Sequence, residues 1–253
     1  MRDDAARVGA STAPQRDEAA WSGFLARWTL LAALAYVGLF GAFGALLAAA
    51  RDAGAADFAL VEFVGASRSP AVHRLMAALD ALVWLGIGGT LLGFAALFAP
   101  WARRRAALLA ACGVGQLAGV IGAYMQLGAV NELAVRYAAA APDQQAALVQ
   151  AHLTLAQIVS AHFGLGQLLY GAGFLLLASA GLSLGGFPRW LAAWFGLSGI
   201  WSVTAQVFNV GGSAFFMSLF LVDAVAGLIA PFLAVAVVFW RRAPVLGASA
   251  ASP

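Results

Sequence analysis

The residues of this sequence that could do chemistry are polar side chains set within long apolar runs. Two of them are carboxylates: Asp80 lies near one end of its run, and Asp223 lies deep within another. A charged side chain at the centre of a membrane helix costs about 2.5–3.5 kcal/mol on insertion scales, so such an acid indicates a functional site with a partner. The structural alternative is a helix–helix hydrogen bond, or a water-filled crevice that tolerates the acid.

Five more polar residues share one property with the two carboxylates. Each falls in the half of its predicted span that we assign to the outer side of the membrane: Gln126, Gln157, His162, Gln206 and Asn209. The opposite halves of the same spans are almost purely apolar. This asymmetry predicts a polar cavity that is open to the outside and closed toward the cytoplasm. The alternative is a set of separate inter-helix hydrogen bonds, each worth about 0.6 kcal/mol on average.

The spacing around Asp223 predicts that its side chain points into a helix bundle. Gly227 and Ala230 follow at four and seven residues, on the same helical face, and small residues let another helix approach. An acid held at that depth, with His162 at a similar depth, is suited to proton-coupled binding or transport.

Histidines and carboxylates together raise the question of a metal site. Imidazole and carboxylate suit zinc or iron. However, His152 and His162 lie about 15 Å apart along one predicted helix, so they cannot share one ion. The simpler interpretation of His162 is a neutral side chain that is hydrogen-bonded to a carbonyl or to a polar side chain. We therefore predict no metal site and no cofactor.

No motif assigns catalytic residues. The sequence contains no phosphate-binding loop, nucleophile elbow, HExxH or CxxC. It contains no lysine, which excludes a retinal Schiff base and a Walker lysine, and its one cysteine, Cys112, excludes an intramolecular disulfide. Three classes remain: a small-molecule or proton-coupled transport or binding protein, a hydrolase-like membrane enzyme with an outer His/Asp site, and a structural or sensory partner protein. An enzyme is not favoured.

The composition indicates an integral membrane protein whose main partner is the lipid bilayer. The 253 residues are 63% hydrophobic and 10% charged, whereas a soluble globular protein has about 25% charged residues. The net charge of +3 does not indicate nucleic-acid binding, because the arginines lie at the flanks of apolar runs. The excess of Arg, Ala and Gly is typical of a GC-rich bacterial genome, so we expect the bacterial cytoplasmic membrane.

The apolar runs predict an all-α bundle of six transmembrane helices over residues 28–242, between a disordered cytoplasmic tail at 1–27 and a second tail at 243–253. Proline, glycine and arginine clusters delimit the spans. The spans are expected at about 28–50, 76–100, 106–130, 153–183, 190–210 and 214–240. The segment 51–70 is interpreted as a loop whose middle could lie on the membrane surface.

The third and fourth helices are expected to project beyond the bilayer as a hairpin. Glu132 and Arg136 are four residues apart and can pair on a helix, and Pro142 suits a first helical turn. Within the spans, small and polar residues form two close-packing stripes. One is Cys112, Gly115, Gly119, Gly122 and Gln126, and the other is Gln157, Ser160, Gly164, Gln167 and Gly171.

Arginine placement predicts the orientation. One side of the predicted membrane domain has ten arginines: Arg2, Arg7, Arg16, Arg27, Arg103, Arg104, Arg105, Arg189, Arg241 and Arg242. The other side has four: Arg51, Arg68, Arg74 and Arg136. The positive-inside rule therefore puts both termini in the cytoplasm.

The turn and predicted fifth helix read GGFPRWLAAWFGLSGIWSV, and the last helix ends in PFLAVAVVFW. This pattern resembles the bacterial family known as domain of unknown function 4386, which comprises multi-pass membrane proteins. The resemblance covers about residues 155 to 240. It implies a membrane bundle, and it implies no activity, substrate or catalytic residue.

Overall fold

The computed structural model describes residues 12–51, 58–183, 187–207 and 223–240, and these are almost entirely helical. In chain order the helices are α1 (Thr12–Arg51), α2 (Phe58–Arg68), α3 (Pro70–Phe98), α4 (Arg103–Gly115), α5 (Leu117–Met125), the π-helix π1 (Gln126–Val130), α6 (Asn131–Ala139), α7 (Pro142–Ser183), α8 (Arg189–Val207), the π-helix π2 (Asp223–Ile229) and α9 (Ala230–Trp240).

Among the described residues, four helical segments are long and apolar enough to cross a membrane. They are Ala20–Ala50, Pro70–Phe98, Arg103–Ala139 and Pro142–Ser183, and a shorter apolar helix covers Ala224–Trp240. The all-α prediction is confirmed for the described residues. The count of six spans stays a prediction, because part of the sixth predicted span lies outside the described residues.

The N-terminal half of the structure differs from the sequence-based expectation in two places. α1 begins at Thr12, so residues 12–27 belong to a helix, although we expected a disordered tail. The predicted loop at 51–70 contains α2 instead. α2 has only 11 residues, too few to be stable alone, and it is held by burial of Phe63 and Ala66, which are both 0% exposed.

The projecting ends of the predicted third and fourth helices are helical. α6 covers Asn131–Ala139, and α7 begins at Pro142, so the turn lies at residues 140–141. The Arg136 Nε atom donates to Glu132 Oε1 at 2.9 Å, which is the pairing that the sequence predicts. We call α6 and the first turns of α7 the hairpin.

Close helix contacts depend on glycines that face backbone. A Cβ added to Gly88 of α3 would lie 2.9 Å from the carbonyl oxygen of Gly113, so α3 and α4 pack backbone to backbone there. α7 and α8 pack in the same way, because a Cβ on Gly199 would lie 2.7 Å from the carbonyl oxygen of Gly171. Such small-residue contacts bring helices together without help from the hydrophobic effect, which lipid does not supply.

Charged residues identify one end of the bundle, which we call the basic end. α1 and α3 run antiparallel, because Phe24 and Leu25 near Arg27 face Gly93 near the end of α3. Arg105 of α4 donates to the Ser179 carbonyl at 3.1 Å and to Ser183 Oγ at 2.6 Å. Arg27, Arg103–Arg105 and Arg189 therefore share this end.

An aromatic cluster fills the bundle above the basic end. Phe94 is 0% exposed, and its ring lies 5.7–6.1 Å from three others at centroid distances that suit edge-to-face contact. Those three rings are Phe187, Phe195 and Phe239. Phe174, also 0% exposed, lies 4.9 Å from Phe195. This end of the described bundle is packed with side chains.

Candidate functional site

A cavity of about 470 Å³ lies in the other half of the bundle, away from the basic end. Residues of α1, α2, α3, α7 and both π-helices line it, and we call it the Asp80 cavity. Its polar or partly polar lining residues are Tyr36, Glu62, Asp80, Trp84, Gln126, His152, Ser160, Gln167 and Tyr170. The rest of the lining is aliphatic and aromatic.

Asp80 is the carboxylate that α3 presents to this cavity. It lies ten residues after Pro70, so α3 carries it about 15 Å along the axis from the helix start. Its exposure is intermediate, and it lines the cavity. Trp84 follows one turn later on the same helix. Its indole N–H lies near the Asp80 carboxyl group, and it is outside the range of a good hydrogen bond.

Glu62 brings a second carboxylate to the cavity from α2. Its Oε1 atom lies 3.1 Å from Nε2 of His73, which is 0% exposed. Glu62 is also close enough to Asp80 for the two carboxyl groups to interact electrostatically. Two carboxylates therefore share one partly enclosed site, and they come from different helices.

Three contacts are among those that hold α2, and with it Glu62, against the bundle. A Cβ on Gly65 would lie 2.7 Å from the carbonyl oxygen of Leu46, so α2 crosses α1 at a backbone contact. The Phe63 ring stacks on the His152 ring of α7 with centroids 4.3 Å apart and planes 17° apart. The bond to His73 is the third contact.

The two π-helices of the described residues contribute to the cavity wall. Gln126 and Val130 are the ends of π1, and Leu228 belongs to π2. A π-helix within a longer helix is rare and is frequent at functional sites. Trp194 of α8 stabilises π2, because its indole N–H donates to the Ala226 carbonyl at 2.7 Å.

Glutamines join the cavity wall to α8. Gln206 of α8 donates through Nε2 to Oε1 of Gln167, and Gln167 lines the cavity. Next to this pair, Ser202 Oγ donates to the Tyr170 hydroxyl at 2.8 Å. These bonds fix the face of α7 that looks into the cavity.

Aromatic rings form much of the cavity surface. Trp84 and Phe163 are stacked, with centroids 5.8 Å apart and planes 9° apart. The Tyr170 ring lies 6.3 Å from Trp84. Tyr36, Phe40 and Phe43 line the side that belongs to α1. Rings of this kind can hold an apolar ligand or the face of a cation.

The seven residues that the sequence singled out do not all meet. Asp80 and Gln126 line the cavity, and Gln206 reaches it through Gln167. Gln157 is exposed, and His162 is half-buried and is not among the residues that line the cavity, so the structure does not group these two with Asp80 and their role stays a prediction. Asn209 lies outside the described residues. The backbone of Asp223 begins π2, and its side chain is outside the described part.

Sequence reasoning missed Glu62 and Gln116. Glu62 was assigned to a loop, although Ser69-Pro70 marks the start of α3 and the apolar residues before it are long enough for a short helix. Gln116 is 1% exposed, lies between α4 and α5, and donates through Nε2 to the Gly166 carbonyl of α7 at 3.3 Å. A lone glutamine in an apolar run is the signal for such an inter-helix bond.

No group of three or more His, Cys, Asp or Glu side chains in the described ranges is arranged to hold a metal ion. His73 and His152 both contact α2, where they bind Glu62 and stack on Phe63.

Comparison with known proteins gives no match, since no family model, curated protein or solved structure matches this chain. The resemblance to the domain of unknown function 4386 family stays a prediction.

Proposed function

We propose that this chain is a multi-pass protein of the bacterial cytoplasmic membrane that binds a small molecule in the Asp80 cavity. In this proposal six helices span the bilayer and both termini are cytoplasmic, so the cavity lies in the outer half. The observation that carries the proposal is the cavity itself, with Asp80 and Glu62 in its wall.

The size and lining of the cavity support ligand binding. Small-molecule sites enclose about 300–1,000 Å³ and combine mostly apolar walls with a few polar groups that orient the ligand. The Asp80 cavity has a volume of about 470 Å³, and its polar residues Asp80, Gln126 and Gln167 come from three different helical elements. A ligand there would meet polar groups from α3, π1 and α7.

The packing below the cavity favours binding over an open channel. Ile87 is the cavity residue of α3 nearest the basic end, and Leu91 and Phe94, both 0% exposed, follow on the same helix. Phe174 of α7 closes the same level. Transport would therefore require the bundle to open at these residues, so the described arrangement corresponds to a form closed at the basic end.

The test is native mass spectrometry of the purified full-length chain, with a variant that fills the cavity. Ala156→Phe places a ring in the cavity wall. The matched control is Ala161→Phe, on the same helix at an exposed position outside the lining. We expect a co-purifying small molecule on the wild type and on Ala161→Phe, and its loss from Ala156→Phe. Absence of any bound small molecule from all three, or equal occupancy of all three, would contradict the proposal.

The two other functional classes have weaker support. The enzyme alternative needs His162 beside an aspartate, and His162 does not line the cavity that holds Asp80. The partner alternative needs a free hairpin surface, and α2 covers one face of the hairpin, where Phe63 and Ala66 pack with Ala134. Both alternatives stay predictions.

A further inference from the structure

The charges in the wall of the Asp80 cavity are one-sided. Asp80 and Glu62 are the carboxylates among its described lining residues, no arginine occurs there, and the chain contains no lysine. Glu62 has the His73 imidazole at 3.1 Å, whereas Asp80 makes no ion pair with any described residue. A carboxylate at this depth without a permanent cation gains more from a positively charged partner than an exposed carboxylate does.

One polar side chain in the same wall is almost fully buried and makes no hydrogen bond with the described residues. Gln126 is 9% exposed, lines the cavity, and makes no side-chain hydrogen bond with the described residues. A side chain this buried usually has a hydrogen-bond partner, and the amide atoms of Gln126 are open to the cavity, where a ligand or an ordered water can bind them.

The aromatic rings in the cavity wall also favour an ammonium group, in addition to the carboxylates. The stacked Trp84 and Phe163 rings and the Tyr170 ring lie beside Asp80 and Gln167 in the lining. A cation is attracted to the face of such rings, most strongly to Trp, and more so where water is excluded. An anionic ligand would instead meet two carboxylates and electron-rich ring faces.

We infer that the Asp80 cavity selects an organic cation, an ammonium group carried on an aromatic or apolar body. This inference rests on the proposed small-molecule function. The ammonium group binds at Asp80 and Glu62, and one of its N–H groups donates a hydrogen bond to the Gln126 amide oxygen. The aromatic or apolar body of the ligand lies against the Trp84 and Phe163 rings.

The test compares three probes that share an indole ring and differ in charge: tryptamine, which is cationic, tryptophol, which is neutral, and indole-3-acetate, which is anionic. Binding to the purified full chain is measured by calorimetry. We expect tryptamine to bind at least about tenfold more tightly than tryptophol, because a hydrogen bond to a charged group is worth about 1.5–3 kcal/mol and 1.4 kcal/mol is tenfold. We expect no measurable binding of indole-3-acetate.

Two charge-removing variants locate the effect. Asp80→Asn should reduce the preference for tryptamine over tryptophol to about twofold or less, because it removes the carboxylate that makes no ion pair with the described residues, while the remaining carboxylate, Glu62, is already bonded to His73. Asp143→Asn makes the same change in net charge at an exposed position of the hairpin and should keep the wild-type preference. If Asp80→Asn does not fold, the order of the three probes on the wild type decides the question alone.

The outcomes separate this inference from the proposed function. Equal binding of tryptamine and tryptophol, with both lost in Ala156→Phe, would overturn the cation selectivity and leave the small-molecule site standing. Tighter binding of indole-3-acetate would do the same. A neutral or anionic co-purifying ligand would also overturn the inference. Failure of all three probes, together with no co-purifying ligand, would remove both.

Discussion

Nε2 of the buried His73 lies 3.1 Å from Oε1 of Glu62, and this contact joins α2 to α3. The two residues are eleven positions apart, on either side of the break at Ser69. Glu62 lines the cavity together with Asp80, so a short helix that is not a membrane span contributes a carboxylate to the cavity wall. The acidic character of the site therefore depends on how α2 is held.

The first prediction concerns this bond. Glu62→Ala should lower the free energy of unfolding by about 1–3 kcal/mol, because it leaves a buried imidazole nitrogen unpaired. Glu62→Gln keeps an acceptor and should lose less. Denaturant unfolding in detergent, followed by circular dichroism, measures the difference.

The Glu132–Arg136 pair provides the control. Its side chains are 61% and 66% exposed, so Glu132→Ala should change the free energy of unfolding by only about 0–0.5 kcal/mol. Equal losses for Glu62→Ala and Glu132→Ala would mean that the buried bond does not anchor α2.

The second prediction concerns the crossing of α1 and α2. Gly65→Ala puts a Cβ 2.7 Å from the Leu46 carbonyl oxygen, and because this is backbone, one helix must shift. The variant should be destabilised, and α2 should become more accessible to protease. Gly44→Ala is the matched control, since nothing lies within 4 Å of its added Cβ and alanine favours a helix over glycine by about 1 kcal/mol. If both variants are as stable as the wild type, α2 does not approach α1 as closely at Gly65 as in this structure.

Much of the fold could be predicted from the sequence because its apolar runs are long and their ends carry proline, glycine or arginine. Pro70 starts α3 and Pro142 starts α7, as expected, and the Glu132–Arg136 spacing correctly indicated a continuing helix. These features depend on neighbours within one or two helical turns, which sequence patterns report well.

The site was harder to predict because distant residues build it. α2 is helical through contacts such as Phe63 on His152, which no local pattern indicates. The stripe on α7 also divides: Gln167 faces the cavity and α8, while Gln157, about three turns earlier, is exposed. Steps of three and four residues place Gln157 and Gln167 on one face of α7. Because α7 has 42 residues, this face contacts different helices at different points along its length.

The third prediction concerns π2. Trp194→Phe removes the N–H that donates to the Ala226 carbonyl at 2.7 Å, while keeping an aromatic ring. A π-helix carbonyl has a weaker partner within its own helix, so the loss should cost about 1 kcal/mol in the free energy of unfolding. Trp190→Phe, at a residue that is 53% exposed, should cost less. A larger loss for Trp190→Phe than for Trp194→Phe would show that the indole bond does not stabilise π2.

The fourth prediction concerns the orientation of the bundle in the membrane. Arg27, Arg103–Arg105 and Arg189 share the basic end, whereas Arg68, Arg74 and Arg136 lie toward the other end. Because arginine-rich ends stay in the cytoplasm, a cysteine at position 57 should react with a membrane-impermeant thiol reagent added outside intact cells, and one at position 104 should not.

The labelling uses Asp57→Cys and Arg104→Cys, each in a Cys112→Ala background, because Cys112 is the single native cysteine. Permeabilised cells provide the control, in which both positions should react. Labelling of position 104 and not of 57 in intact cells would reverse the orientation. The Asp80 cavity would then lie in the cytoplasmic half, and any cation that it selects would have to come from inside the cell.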